Sequence, residues 1–122
     1  MREIVMDTET TGLDPDKGDR IVEIGGVELL NHMPTGRTYH QYINPDRAMS
    51  QEAFEVHGLG DDFLSDKPVF KSIAQEFLEF VGDAKLVIHN ASFDMKFINA
   101  ELGWLGFPVR LPHWMRCAGG SR

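Results

Sequence analysis

The chain has 122 residues and a net charge of −7, with 42% hydrophobic and 25% charged residues. The composition is that of an ordinary globular protein, and the length allows one domain at most. The acidic balance argues against a broad basic surface for binding duplex DNA. It does not exclude a nucleic-acid enzyme, because cations bound at an acidic metal site would offset part of the charge.

Cysteine usage and hydropathy predict a cytoplasmic protein with no membrane partner. Cys117 is the single cysteine, so no intrachain disulfide can form, which is typical of a reducing compartment. The sequence has no apolar run near the roughly 18 residues of a membrane span, and its first residues lack the apolar core of a signal peptide.

Three strands are predicted in the first part of the chain. Residues 3–7 form a central strand that is apolar on both faces, residues 21–30 form a second strand, and residues 39–43 form a third. Residues 31–37 are predicted as a turn, and short connections of this kind favour an antiparallel meander. Residues 14–19 contain two aspartates of a calcium-loop pattern, but the residues that follow are out of order. We therefore interpret this segment as a solvated loop.

Helical patterns alternate with one further strand in the second part. Residues 50–58 predict a short helix that begins after a serine cap and stops at a glycine. After the acidic loop 60–62, Pro68 opens a helix with an apolar stripe. A strand follows at residues 86–89, and this helix-to-strand crossover implies parallel pairing with an earlier strand. Ser92 is then predicted to cap a last helix.

Acidic side chains follow two of the predicted strands at the point where each strand ends. Asp7 and Glu9 lie two residues apart, so an extended backbone places both side chains on one face. Carboxylates that close repel each other unless a cation lies between them, and such oxygen ligands favour Mg²⁺ or Mn²⁺. Asp94 beyond the second strand would complete a site for two ions about 3.5–4 Å apart. This arrangement predicts metal-assisted phosphoryl transfer to water.

Each of these acidic and histidine residues also has a plain structural interpretation. An aspartate near a helix N-terminus, such as Asp94, most often only stabilises the helix dipole. Spacing alone makes Glu52 an exposed helix charge and His57 a helix-terminal histidine. His89 is interpreted as a hydrogen-bonded histidine that shapes the strand end rather than as a metal ligand.

Four segments resemble, in order, the conserved regions of the DEDD exonuclease superfamily. The first and second exonuclease motifs are resembled by Asp7-Thr8-Glu9-Thr10-Thr11-Gly12 and His89-Asn90-Ala91-Ser92-Phe93-Asp94. The intervening segments of one branch are resembled by Ile21-Val22-Glu23-Ile24-Gly25-Gly26-Val27-Glu28 and Glu52-Ala53-Phe54-Glu55-Val56-His57-Gly58-Leu59. That branch comprises the proofreading subunits of bacterial DNA polymerase III. The resemblance covers roughly the first hundred residues.

The resemblance implies a fold, an activity and residue roles. The implied fold is an α/β domain of ribonuclease-H-like type, whose mixed sheet combines an antiparallel meander with a parallel strand and is flanked by helices. The implied activity is 3′→5′ exonuclease cleavage of a single-stranded DNA end with two Mg²⁺ or Mn²⁺ ions. Asp7, Glu9 and Asp94 match the catalytic metal ligands. Glu52 and His57 match residues that hold the terminal nucleotide, together with the first two carboxylates. The implied protein partners are the polymerase III alpha subunit and a theta-like core subunit.

The chain departs from the family pattern beyond Leu102. A complete member carries a third motif, His-x-Ala-x-x-Asp, with a general-base histidine and a further metal-binding aspartate. The 28 residues after Asp94 (122 − 94) contain no such motif, and His113 is the remaining candidate base. We therefore expect an exonuclease domain over residues 1–104 that is incomplete at its C-terminal side, through truncation or a broken reading frame. Residues 105–122 are predicted to be a divergent, irregular tail.

Two other functions stay open on the sequence. One is an inactive remnant that binds ions or nucleotide weakly or docks on a polymerase subunit; the missing third motif favours it and the intact first two argue against it. The other is an RNA-trimming relative, which selectivity for a terminal 2′-hydroxyl would identify. We also expect the isolated chain to be nearly inactive and to expose an apolar face of its sheet.

Overall fold

The computed structural model describes residues 2–89, 91–106 and 116–117, which form one mixed sheet with helices. The strands are β1 Arg2–Thr10, β2 Ile21–Leu30, β3 Met33–Tyr42, β4 Lys85–Ile88 and β5 Arg116–Cys117. The helices are α1 Gln51–His57, α2 Asp61–Leu64, α3 Phe70–Val81 and α4 Ala91–Trp104, and a 3-10 turn spans Pro15–Lys17. Within these ranges no helix combines the length and the apolar character needed to cross a bilayer.

The strands are hydrogen-bonded in the order β3-β2-β1-β4-β5. β1 pairs antiparallel with β2, and β2 pairs antiparallel with β3, so the first three strands form the predicted meander. β4 pairs parallel with β1, because α3 returns the chain to the same end of the sheet before β4 begins. The mixed sheet confirms the predicted fold class, and β1 is central, as its apolar run predicts.

The hydrophobic core lies on one face of the sheet, beneath α3 and α4. Alternate residues of β1 point into it and meet the fully buried Phe77 of α3 and Phe97 of α4. The opposite face carries Val5 and Val27, each 41% exposed. Among the described residues this second face is open to solvent, and beside the two valines it carries the acidic residues Asp7, Glu9 and Glu23, so it is mixed rather than apolar.

The short helix α1 begins and ends where the sequence predicts. Ser50 Oγ accepts a hydrogen bond from the backbone N–H of Ala53 at 3.1 Å, which satisfies one of the free donors at the helix start. Gly58 ends the helix with a φ of 71°, a conformation that glycine adopts without steric cost.

Several predicted boundaries are wrong. β1 continues to Thr10 instead of ending at Asp7, so Asp7 and Glu9 lie within the strand, and β4 spans Lys85–Ile88 rather than residues 86–89. β3 begins at Met33 rather than Tyr39, because Asn31 and His32 complete the turn alone. Both have positive φ, 52° and 69°, as a two-residue hairpin turn requires. α3 begins at Phe70 and not at Pro68. α4 begins at Ala91, so Ser92 lies inside its first turn instead of capping it.

Two predicted irregular segments contain short regular elements. The acidic loop at residues 60–62 includes the start of α2. In the tail, Arg116–Cys117 forms β5, which pairs parallel with Val87 and Ile88 of β4. The other tail residues beyond Gly106, including His113, lie outside the described part of the chain.

Candidate active site

The ends of β1 and β4 meet at one edge of the sheet, because the strands are parallel and Met6 pairs with Ile88. Asp7 and Glu9 follow Met6 in β1 and lie on the open face of the sheet. α4 follows β4 closely in the chain and carries Asp94 in its first turn. The topology therefore brings the two halves of the predicted site to the same edge.

The carboxylate of Asp94 is the most deeply buried of the three. Its residue is 5% exposed, whereas Glu9 is partly buried and Asp7 is exposed. Burial is the main cause that raises the pKa of Asp94 from 3.8 to about 6, with a further rise from the Asp7 carboxylate. The amide and hydroxyl of Thr8 act in the opposite direction. Among the described residues, Thr8 Oγ1 has no hydrogen-bond partner within normal geometry.

Glu9 is also partly buried and close to other carboxylates, and its pKa is raised for the same reasons. Burial raises its pKa, Asp7 and Glu23 raise it further, and His57 lowers it. Glu23 lies directly opposite Glu9 in the neighbouring strand β2. No Lys or Arg among the described residues pairs with the Asp94 carboxylate. This edge of the sheet thus carries clustered negative charge that a cation would offset.

His57 attaches the end of α1 to the end of β1. The backbone N–H of Leu59 donates to His57 Nδ1 at 3.0 Å, so the proton of the neutral ring belongs on Nε2. Nε2 then donates to the carbonyl oxygen of Thr10 at 3.0 Å. Glu52 lies in the first turn of the same helix and is exposed. The histidine therefore fixes the position from which Glu52 faces β1.

A cleft of about 470 Å³ lies between α1, the end of β1 and the loop that follows β1. Glu9, Glu52 and His57 line it together, whereas Asp7 and Asp94 are not among its lining residues. The volume falls in the range that accommodates small ligands such as a nucleotide. The remaining lining residues are Thr8, Thr10, Gly12, Leu13, Asp14, Lys17, Asp19, Ser50, Ala53, Val56 and Phe93.

Asp19 holds the loop between Thr11 and Arg20 closed. Its carboxylate accepts hydrogen bonds from Thr11 Oγ1 at 2.9 Å and from the backbone N–H of Asp14 at 3.2 Å. A Cβ atom on Gly12 would lie 2.4 Å from Asp19 Oδ2, so the packing requires glycine at this position. Because the loop forms one wall of the cleft, Asp19 fixes the shape of that wall.

The three carboxylates fit a divalent cation by their chemistry. Asp7, Glu9 and Asp94 supply oxygen ligands, and their mutual repulsion favours a positive ion near them. Among residues 2–89 and 91–106, no three His, Cys, Asp or Glu side chains lie close enough together to hold a metal ion. The support for a divalent cation at this place is therefore the donor chemistry of the carboxylates alone.

Sequence reasoning missed one wall of the cleft. The loop contributes Lys17 and Asp19, and α4 contributes Phe93, none of which had been given a role. Turn residues such as Pro15 indicate only where the chain changes direction, and they do not show which cavity a loop will border. Glu52 and His57 were assigned through the family resemblance, since their spacing alone favoured a structural role.

The strand order, with the parallel β4 beside a central β1 and the helices α3 and α4 over one face, defines a ribonuclease-H-like exonuclease fold. The exonuclease family model of the RNase T type matches residues 4–107. The chain belongs to this exonuclease family.

Among curated proteins, the chain is similar to epsilon subunits of DNA polymerase III. It is 59% identical over 105 residues to DNA polymerase III subunit epsilon of Rickettsia conorii and 48% identical over 108 residues to that of Escherichia coli. The alignments cover 86% and 85% of this chain but 46% and 44% of the relatives. The chain thus spans about half the length of the curated relatives it matches.

Solved structures show the same fold. Exonuclease X in complex with 5′ overhanging duplex DNA superposes with a TM-score of 0.66 at 29% identity, covering 79% of this chain and 53% of the other. The nuclease domain of 3′hExo, a DEDDh family member bound to rAMP, superposes with a TM-score of 0.71 at 20% identity, covering 91% and 60%. At 20% identity the second likeness concerns the fold alone.

Proposed function

We propose that the chain is the nuclease part of a proofreading 3′→5′ exonuclease that removes nucleoside monophosphates from single-stranded DNA ends. The observation that carries the proposal is the juxtaposition of three repelling carboxylates, Asp7, Glu9 and Asp94, with a nucleotide-sized cleft lined by Glu9 itself. The similarity to epsilon subunits supports the same function. Because the chain spans only about half of those relatives, the activity of the whole protein is part of the proposal.

In the proposed reaction Asp7, Glu9 and Asp94 are the residues that would hold two Mg²⁺ or Mn²⁺ ions. Such ions, when bound, stabilise the attacking and leaving oxygens of the phosphoryl group. The carboxylates must be ionised to bind them, so the raised pKa of Asp94 makes ion binding weaker below about pH 6. His113, the candidate general base, lies outside the described residues.

Glu52 and His57 bind the terminal nucleotide from the α1 side of the cleft. Both residues line the same cleft as Glu9, which supports a 3′ end bound between α1 and Glu9. The hydrogen bond from His57 to the Thr10 carbonyl keeps this distance constant, so the cleft is shaped before the substrate enters. A frayed single strand fits this arrangement better than a duplex, since the chain carries a net charge of −7.

The proposed partners follow from the similarity to epsilon subunits. We expect the protein to act with the alpha subunit of DNA polymerase III and a theta-like core subunit, in the cytoplasm. Co-purification with an alpha subunit tests the first of these partners, and absence of any complex at micromolar concentrations would contradict it.

Metal binding is tested by the double variant Asp7→Asn, Glu9→Gln. It should abolish the thermal stabilisation that Mn²⁺ gives to the parent chain, since the carboxylate pair is lost. The matched control is Asp83→Asn, Glu55→Gln, which removes the same charge from two exposed positions. Calorimetry that finds equal Mn²⁺ affinity in the double variant and the control would locate the ion site elsewhere.

Nucleotide binding is tested by titrating thymidine monophosphate in the presence of Mn²⁺. Glu52→Ala and His57→Ala should each weaken binding, whereas Glu55→Ala, on the same helix but outside the cleft lining, should not. Equal binding by all three variants would contradict the assignment of the cleft. Comparing oligonucleotides with a 3′-terminal deoxyribose or ribose distinguishes the DNA exonuclease from the RNA-trimming alternative.

A further inference from the structure

We propose that Arg20 is a positioning residue that sets the place of Asp94 relative to Glu9 by clasping α4 to the end of β1. The inference rests on the proposed metal-dependent function, because the distance between these carboxylates matters for holding ions. Arg20 lies outside the cleft lining, and its role is argued from two sets of contacts, one on its side chain and one on its backbone.

The side chain of Arg20 forms hydrogen bonds with a buried carboxylate on α4. Arg20 Nε donates to both oxygens of Glu101, at 3.0 and 2.9 Å, and a terminal guanidinium nitrogen donates to Oε1 at 2.6 Å. The Glu101 side chain is 1% exposed and also accepts the backbone N–H of Ile21 at 3.0 Å. Trp104 lies against the guanidinium, with its ring centre 5.0 Å from Arg20 Cζ. A planar fork held on several sides has little freedom to shift.

The backbone of Arg20 is tied to the end of β1. The N–H of Thr11 donates to the carbonyl of Arg20 at 2.9 Å, and the N–H of Arg20 donates to Thr11 Oγ1 at 3.1 Å. Thr11 follows the last residue of β1 and stands two positions after Glu9. One residue thus contacts both the strand that carries Glu9 and the helix that carries Asp94.

The helix transmits the constraint from Glu101 to Asp94. The two acidic residues are seven positions apart (101 − 94), which is nearly two helical turns, so both project from the same side of α4. Both are buried, at 5% and 1% exposure. They lie about 10 Å apart along the axis, and a packed helix moves as a rigid unit over that length. Releasing Glu101 would let α4 slide or rotate and would carry Asp94 away from Glu9.

A purely structural ion pair would behave differently from a positioning one. Loss of a structural pair lowers the melting temperature but leaves the ion affinity of the folded protein unchanged. Loss of a positioning contact also weakens ion binding in the folded protein, as happens when outer partners that orient metal ligands are removed, typically by about 10–100-fold.

The test measures Mn²⁺ affinity of the full chain by calorimetry, at a temperature where each variant is folded. Arg20→Gln should weaken binding about tenfold, and Arg20→Lys, which keeps the charge but loses the fork, should have an intermediate effect. Arg47→Gln is the matched control, because it removes the same charge from a residue that contacts the same loop, at Asp19 and Lys17, without touching α4. Equal Mn²⁺ affinity in Arg20→Gln, Arg20→Lys and Arg47→Gln would overturn the inference.

A second measurement separates this inference from the proposed function. Amide NMR shifts are recorded without metal ion, and Arg20→Gln, or Arg20→Lys if the first variant does not fold, should move the signals of residues 92–96 as well as those near Glu101. Shifts confined to residues 98–106 would overturn the positioning role whether or not the protein binds ions. A parent chain that binds no Mn²⁺ while the shifts still reach Asp94 would contradict the proposed function and leave the clasp supported.

Discussion

Two buried carboxylates on the same side of α4 have opposite surroundings. Glu101 is enclosed by the guanidinium of Arg20 and the backbone N–H of Ile21. Asp94, two turns earlier, is nearly as buried but faces the negative charge of Asp7, and burial raises its pKa to about 6. One carboxylate has its cation supplied by the protein, and the other has none among the described residues.

The difference indicates that the two carboxylates of α4 have different roles, since one stabilises the fold and the other is available to a ligand. A buried charge with a built-in partner holds two elements together, and removing that partner leaves an uncompensated charge. A buried charge without such a partner lowers the stability of the fold and persists where a ligand supplies what is missing. Asp94 has the second set of properties, which is why we place it in the ion site.

The largest expected effect on stability comes from breaking the ion pair between Arg20 and Glu101. Glu101→Ala should lower the free energy of unfolding by about 3 kcal/mol at pH 7, because it leaves the partly buried Arg20 unpaired. Urea denaturation measures the change. Glu79→Ala, on an exposed helix position, is the control and should cost less than about 0.5 kcal/mol. A loss below about 1 kcal/mol for Glu101→Ala would show that the clasp contributes little.

Adding a divalent cation should supply Asp94 with the positive partner that Glu101 already has in Arg20. At a free Mn²⁺ concentration one hundred times the dissociation constant, the parent chain should gain about 2.7 kcal/mol of stability at pH 7. The gain should shrink as the pH falls below about 6, where Asp94 takes up a proton. Thermal melts with and without Mn²⁺ at several pH values test this. The same gain in Asp94→Asn would exclude Asp94 as a ligand.

Without metal ions, removing the uncompensated charge should stabilise the fold. The pKa of Asp94 is raised from 3.8 to about 6 on folding, so the native state prefers the protonated form. The parent chain therefore loses stability from this group as the pH rises from about 4 to about 6. Asp94→Asn should be more stable than the parent by about 2 kcal/mol above pH 6, with no difference near pH 4. Denaturation of both proteins at pH 4 and pH 7 measures this difference. The same stability difference between Asp94→Asn and the parent at both pH values would contradict burial of Asp94 as its cause.

The smallest expected effect concerns the aromatic cover of the clasp. Trp104 is 51% exposed and lies against Arg20, so Trp104→Ala should cost about 0.5–1 kcal/mol of stability. Trp104→Phe retains an aromatic face and should recover part of that loss. Chemical denaturation of both variants would show how much the Trp104 ring, as distinct from the Arg20–Glu101 ion pair, contributes to the free energy of unfolding.

The fold was predictable because local patterns and topology agree. Apolar runs end at Met6 and Ile88, and the helical connection that follows the meander returns the chain to pair β4 parallel with β1. Residues 31–37 were harder, since the left-handed conformations of Asn31 and His32 compress the turn to two residues and free the rest for β3. A hairpin without glycine in its turn gives little local signal of its length.

The site was only partly accessible from the sequence. The apolar runs before Asp7, Glu9 and Asp94 made these three carboxylates candidates, and the pairing of β1 with β4 brings their segments to one end of the sheet. The pairing of Arg20 with Glu101 spans 81 positions and leaves no periodic trace. The closed form of the loop depends in the same way on Asp19, whose bonds to Thr11 and Asp14 become visible only in three dimensions. Such contacts are properties of the folded chain rather than of any segment.

The close contact between Gly12 and Asp19 limits which residues of the cleft wall can be changed. With 2.4 Å between a would-be Cβ and the Asp19 carboxylate, Gly12 cannot take a side chain while Asp19 keeps its position. Between them, the 81% exposed Leu13 has no such constraint. A protein engineer seeking a wider or narrower groove should therefore keep this pair as fixed anchor points and exchange the residues between them, where insertions cost little because loop-closure entropy grows slowly with length.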